Sequence, residues 1–96
     1  MIPSNRVATY PGVILLKEFL EPMGITQKAL AVHIGILMQR INEIVKGKRG
    51  ISPSTAWLLS EALNTSPEFW LNLQTTYDLS ICKPISHIQQ LLAINA

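Results

Sequence analysis

Four of the chain's eight basic residues, Arg40, Lys46, Lys48 and Arg49, fall within ten positions of one another, with Glu43 as the one acid among them. Between Leu37 and Ile51 the balance is +4 and −1, a local +3 that exceeds the whole chain's +2. A weakly charged protein with one basic stripe is suited to docking on a polyanion such as a nucleic-acid backbone. Gln39 carries the donor–acceptor pair that matches an adenine edge, and Arg40 carries the fork that matches guanine. The sequence leaves open whether Arg40 reads a base or holds a phosphate. Asn42, Lys46, Lys48 and Arg49 read as backbone contacts that position a domain on a duplex. Lys46, at the end of a predicted helix, has a second reading as compensation of the helix dipole.

Other chemistries lack their residues. One cysteine, Cys82, and two histidines, His33 and His87, show no paired metal-ligand spacing. Gly47 and Gly50 fit neither a phosphate loop nor a dinucleotide fingerprint, and no serine, cysteine or histidine stands in a nucleophile motif. No catalytic residue, metal or cofactor is therefore expected. A single cysteine excludes an internal disulfide and fits a reducing cytoplasm. Apolar runs such as Ile14 to Leu16 are far short of a membrane span, and "MIPSNRVATYPG" has no apolar signal core.

The elements that must position the basic stripe are all helical, and 96 residues suffice for one domain. After a loose N-terminal arm, 1–11, "VILLKEFLEPMG" places Ile14, Leu15, Phe19 and Leu20 at helical spacing, with Pro22 and Gly24 as stops. Thr26 caps a second helix, "QKALAVHI", which Gly35 ends. A third runs from about Leu37 or Met38 to Lys46, with Ile41, Ile44 and Val45 inward. Ser52-Pro53 opens a fourth, expected to bury Leu58, Leu59, Ala62 and Leu63 and to stop at Asn64. Ser66-Pro67 opens a fifth over "PEFWLNLQTTYDL", and "ISHIQQLLAI" in the tail, 81–96, could add a short last one. The fold class is all-α, a five- to six-helix bundle.

Ala31, Gly35, Ile41 and Ile44 have the spacing of a helix–turn–helix over 26–46. A small side chain allows close crossing, a glycine makes the turn, and two isoleucines lock the second helix down. The outward face of that helix then carries Gln39, Arg40 and Glu43. Thr26 and Gln27 open the first helix of the pair, where free N–H groups favour a phosphate. Two amphipathic helices with a glycine turn, without DNA, would give part of the same pattern.

"GVILLKEFLEPMGIT", "QRINEIVKGKRGIS" and "NTSPEFWLNLQTTYDL" together resemble the HigA antitoxins, also known as VapI-type virulence-associated proteins. These are a branch of the Xre/Cro-repressor-like helix–turn–helix family, and the resemblance spans about Pro11 to Leu79. It implies a lambda-repressor-like domain in a bacterial cytoplasmic dimer. Such a dimer represses its own operon at a palindromic operator and neutralises a HigB toxin, an mRNA endonuclease of the RelE type. Gln39, Arg40, Ile41 and Asn42 match the family's recognition helix. Met38 replaces the usual arginine, Leu37 the usual serine or threonine cap, Tyr10 a histidine and Val13 a glutamate. With these replacements the expected base contacts are Met38, Gln39, Arg40 and Glu43. The expected backbone contacts are Thr26, Gln27, Leu37, Asn42, Lys46, Lys48 and Arg49.

The segment 66–80 places Phe69, Trp70, Leu73 and Tyr77 on a wide aromatic arc. It either closes the core over Trp57 and Leu58 or forms a homodimer interface, where aromatic anchors are enriched. Two other functions remain open, a module that sequesters a protein partner without operator binding and a stand-alone Xre-type regulator. The first 23 residues are candidates for a toxin-contacting surface, since the DNA face lies elsewhere.

Overall fold

The computed structural model describes residues 8–82, 84 and 87–91. Among these residues every regular element is a helix. We number five: α1, a continuous rod made of Pro11–Ile14, Leu15–Leu20 and Glu21–Met23; α2, Gln27–Ile34; α3, Met38–Val45; α4, Pro53–Leu63; and α5, Pro67–Ile81.

Helix α1 starts two residues earlier than its sequence suggests and, of its two expected stops, passes the first and ends at the second. Pro11 occupies the first turn, where its fixed φ is already helical and its missing N–H is not needed. Pro22 lies inside the rod instead of stopping it. Proline donates no N–H and its ring crowds the carbonyl four residues back. The preceding stretch, Leu15–Leu20, widens into π-helical geometry, and the N–H of Glu21 reaches the carbonyl of Leu16. Gly24, left-handed at φ 66°, is the actual stop.

Positions 1–7 of the expected arm lie outside the described residues, but its end is packed. The N–H of Ala8 donates to Ser80 Oγ at 3.0 Å, and the Tyr10 ring meets Tyr77 edge-on at 6.0 Å. Gly12 is buried where α1 crosses α3. A Cβ there would collide with the Ile44 carbonyl and the Val45 backbone, so glycine sets the approach of the two helices.

Three later helix starts follow their capping residues. Thr26 Oγ1 accepts from Ala29 N–H at 3.0 Å, Ser66 Oγ from Phe69 N–H at 3.1 Å, and Ser52 Oγ from Thr55 N–H at 3.4 Å. Each satisfies a donor that the first helical turn leaves free, worth ~1 kcal/mol. Gly35 at φ 77° and Asn64 at φ 56° end α2 and α4 in the left-handed conformation expected of them.

The core gathers Leu15, Leu20, Leu30, Ala31, Ile41, Ile44, Val45, Ile51, Ala56, Leu59, Leu63 and Trp70. Helix α4 turns a different face inward than expected, with Thr55, Ala56, Leu59, Ser60 and Leu63 buried and Leu58 and Ala62 only half-buried. Weighing apolar side chains alone misplaces this face. The hydroxyls of Thr55 and Ser60 are bonded locally, to Ser52 Oγ at 3.2 Å and the Trp57 carbonyl at 2.8 Å, so their burial leaves no polar group unmatched. Trp57 is left 58% exposed and closes nothing.

The short last helix expected over "ISHIQQLLAI" lies partly outside the described residues. Positions 87–90, which are described, are not helical.

Candidate nucleic-acid interface

The interface is built on α2 and α3. Ala31 and Leu30 of α2 are buried against Ile41, Ile44 and Val45 of α3. Gly35 permits the sharp turn between them, and the N–H groups of Gly35 and Ile36 both close on the Ala31 carbonyl, at 2.9 and 3.0 Å. With Ile41, Ile44 and Val45 inward, the helical period turns Gln39, Glu43 and Lys46 outward. Gln39 and Lys46 are exposed, and Arg40 and Glu43 are half-buried on the flank of that face.

Two side-chain pairs join the expected contact residues. Asn42 Nδ2 donates to Gln27 Oε1 at 3.2 Å, which ties the middle of α3 to the start of α2. Arg49 Nε donates to Glu43 Oε1 at 2.9 Å, which ties the basic turn back onto α3. The turn is tightened further by Lys48 and Arg49 N–H groups on the Glu43 carbonyl, at 2.8 and 3.2 Å. Glu43, expected at a base edge, is thus occupied in shaping the turn, and Lys46 and Lys48 are left exposed beside it. Thr26 is exposed at the head of α2, Gln27 and Asn42 are half-buried by their mutual bond, and Leu37 and Met38 are exposed at the head of α3. Leu37 is the N-cap of α3 and its side chain forms no capping bond.

Helix α5 supplies contacts that the sequence did not signal. Gln74 Oε1 accepts the N–H of Ile51 at 2.7 Å, and Gln74 Nε2 donates to Asp78 Oδ1 at 2.9 Å. The amide of Gln74 also lies against Gly50, where an added Cβ would be 3.1 Å from it. On the other side of the turn, the Tyr10 ring would be 3.1 Å from a Cβ on Gly47. The segment from Gly47 to Ile51 is therefore braced from behind by α5 and by the N-terminal residues. Only partners 23 positions or more from the turn make these contacts, and no local pattern announces them.

The expected dimer residues divide. Trp70 is fully buried and donates its indole N–H to Thr65 Oγ1 at 2.7 Å. It packs on Phe19 and Phe69, with ring centroids 5.3 and 5.0 Å away. This corrects its assignment to an interface: the largest side chain of α5 is core, because α1 brings Phe19 onto it. Phe69 remains 37% exposed, and Leu73 and Tyr77 are half-buried.

Among the described residues no group of three or more His, Cys, Asp or Glu could hold a metal, and no helix is long and apolar enough to cross a membrane.

Residues 16–70 match the family model described as helix-turn-helix. The chain is 46% identical over 79 residues to antitoxin HigA-1 of Vibrio cholerae, covering 82% of this chain and 74% of that protein. It is 43% identical over 76 residues to virulence-associated protein I of Dichelobacter nodosus, covering 79% and 70% respectively. Its fold is also that of the Pseudomonas aeruginosa antitoxin HigA solved with the higBA promoter. There the TM-score is 0.80 at 37% identity, over 88% of this chain and 97% of that one.

Proposed function

The chain belongs to the helix–turn–helix family, alongside HigA antitoxins and virulence-associated proteins, and from that premise we propose that it is the antitoxin of a type II toxin–antitoxin module. In this role a dimer of the chain binds a palindromic operator, represses its own operon and neutralises an mRNA endonuclease of the HigB/RelE type in the bacterial cytoplasm. The observation that carries the DNA-binding part is the surface joined by the Asn42–Gln27 and Arg49–Glu43 pairs. It presents Gln39 outward, Arg40 on its flank and Lys46, Lys48 and Arg49 at its edge.

The division of labour follows from reach. Gln39 and Arg40 project from α3 toward base edges in the major groove. Lys46, Lys48 and Arg49 meet phosphates and fix the domain's register, and Thr26 and Gln27 do the same from the head of α2. Two such heads in a dimer, ~34 Å apart, would enter successive major grooves. Association through Phe69, Leu73 and Tyr77 of α5 supports this arrangement, since α5 also braces the basic turn.

The test is fluorescence anisotropy of the purified protein on its own promoter and on a scrambled duplex, at two salt concentrations. A promoter preference that weakens steeply with salt, as counterions are released from phosphates, is the expected result. A second reading is favoured by one observation, the exposed apolar pair Leu37 and Met38. In that reading the chain sequesters a protein partner and does not hold operators, and the same titration would show no promoter preference.

A further inference from the structure

Leu37 and Met38 open the recognition helix with apolar side chains turned to solvent, 73% and 49% exposed. Leu37 occupies the N-cap, where its carbonyl accepts the Arg40 N–H at 3.0 Å but its side chain offers nothing to the first turn. The starts of α2, α4 and α5 are each capped by a hydroxyl, from Thr26, Ser52 and Ser66. At the start of α3 the chain both forgoes a cap and exposes a leucine, two unfavourable features at one point. Neither residue joins the hydrophobic core, so nothing within the fold offsets them.

The pair is continuous with exposed Gln39, on the first turn of α3. The N-terminal residues of a recognition helix are those that approach base edges. On the floor of the major groove the apolar group offered is the C5 methyl of thymine. We propose that Leu37 and Met38 are specificity-determining residues that seat thymine methyl groups, so that the operator carries thymine where these side chains land. The proposal rests on the DNA-binding reading above. Discrimination has two sources. A thymine methyl shields the apolar pair from water, whereas a cytosine would turn its N4 amine toward a leucine that cannot accept from it and a thioether that accepts only weakly.

Duplexes selected by the wild-type protein from a random pool are rebuilt with deoxyuridine in place of thymidine, which removes only the methyl. Affinity measured by anisotropy is expected to fall about fourfold for each methyl contacted. A protein carrying Leu37→Ser and Met38→Ala, both at exposed positions, should bind the two kinds of duplex alike. Each single variant keeps one apolar side chain and should show an intermediate penalty. Equal wild-type affinity for both duplexes overturns the thymine assignment and leaves DNA binding intact. A uracil penalty undiminished in the variants also overturns it, because the methyls are then sensed elsewhere. Failure to select any duplex overturns the DNA-binding reading itself.

Discussion

The side-chain carbonyl of Gln74 accepts the backbone N–H of Ile51 at 2.7 Å, so helix α5 holds the end of the basic turn that follows the recognition helix. The bond is part-buried and its geometry is short, so its loss leaves a donor poorly matched. Gln74→Leu is expected to lower folding stability by ~1 kcal/mol and to speed hydrogen exchange at the Ile51 amide. Promoter affinity should fall more than that loss of folded protein explains, because Lys48 and Arg49 are held less firmly. Unchanged exchange at Ile51 would show that α5 does not brace the turn.

Gly12→Ala places a methyl against the backbone of Ile44 and Val45, which cannot swing aside as a side chain end could. Helices α1 and α3 must separate, at the upper end of overpacking costs, about 3 kcal/mol. Urea denaturation measures it. A cost under half that figure would mean that the crossing is looser than described.

Leu37→Ser should act in opposite directions on folding and on binding. Serine can accept from the free N–H groups of the first turn of α3, as Thr26, Ser52 and Ser66 do elsewhere. The expected gain is ~1 kcal/mol, or about 4–8 °C in melting temperature. The same change should weaken binding to the protein's selected duplexes. A variant that is both more stable and tighter-binding would contradict the role given to Leu37.

Arg40 and Lys48 are separated by how their removal is felt. Arg40→Ala should cost ~1–3 kcal/mol on the promoter and relax preference at one position, if Arg40 reads a base. Lys48→Ala should weaken promoter and scrambled DNA equally and reduce the salt slope by about one. Equal losses on both duplexes for Arg40→Ala would reassign it to a phosphate.

Trp70→Ala should lower folding stability by about 3–5 kcal/mol, independent of protein concentration, because the side chain is core. Phe69→Ala, at a partly exposed neighbour, should instead raise the concentration at which dimers form. Sedimentation at several concentrations distinguishes the two effects.

Much of this fold is legible in the sequence because its signals are local. Thr26, Ser52 and Ser66 mark helix starts, and Gly35 and Asn64 mark stops, each within a few residues of the bond that confirms it. The basic residues of the interface are equally visible, since charge on an exposed turn needs no partner to be recognised. What the sequence conceals depends on distant contacts. Pro22 looks like a stop until the π-helical turn before it is seen to absorb its ring. Trp70 reads as core or as interface anchor until Phe19 is brought onto it. Gly12 shows its role only once Ile44 is packed against it, and Gln74 only once it meets Ile51.

The inward side of α3 is fully committed, with Ile41, Ile44 and Val45 in the core and Gly12 pressed against its backbone. Its outward residues Met38 and Gln39 take no part in that packing. On the DNA-reading role proposed for α3, a lineage can therefore exchange them by single mutations and acquire a new binding sequence with the scaffold unchanged. Several such modules in one genome could diverge in address while sharing one architecture, each insulated from the others' promoters by the few side chains that the fold does not require.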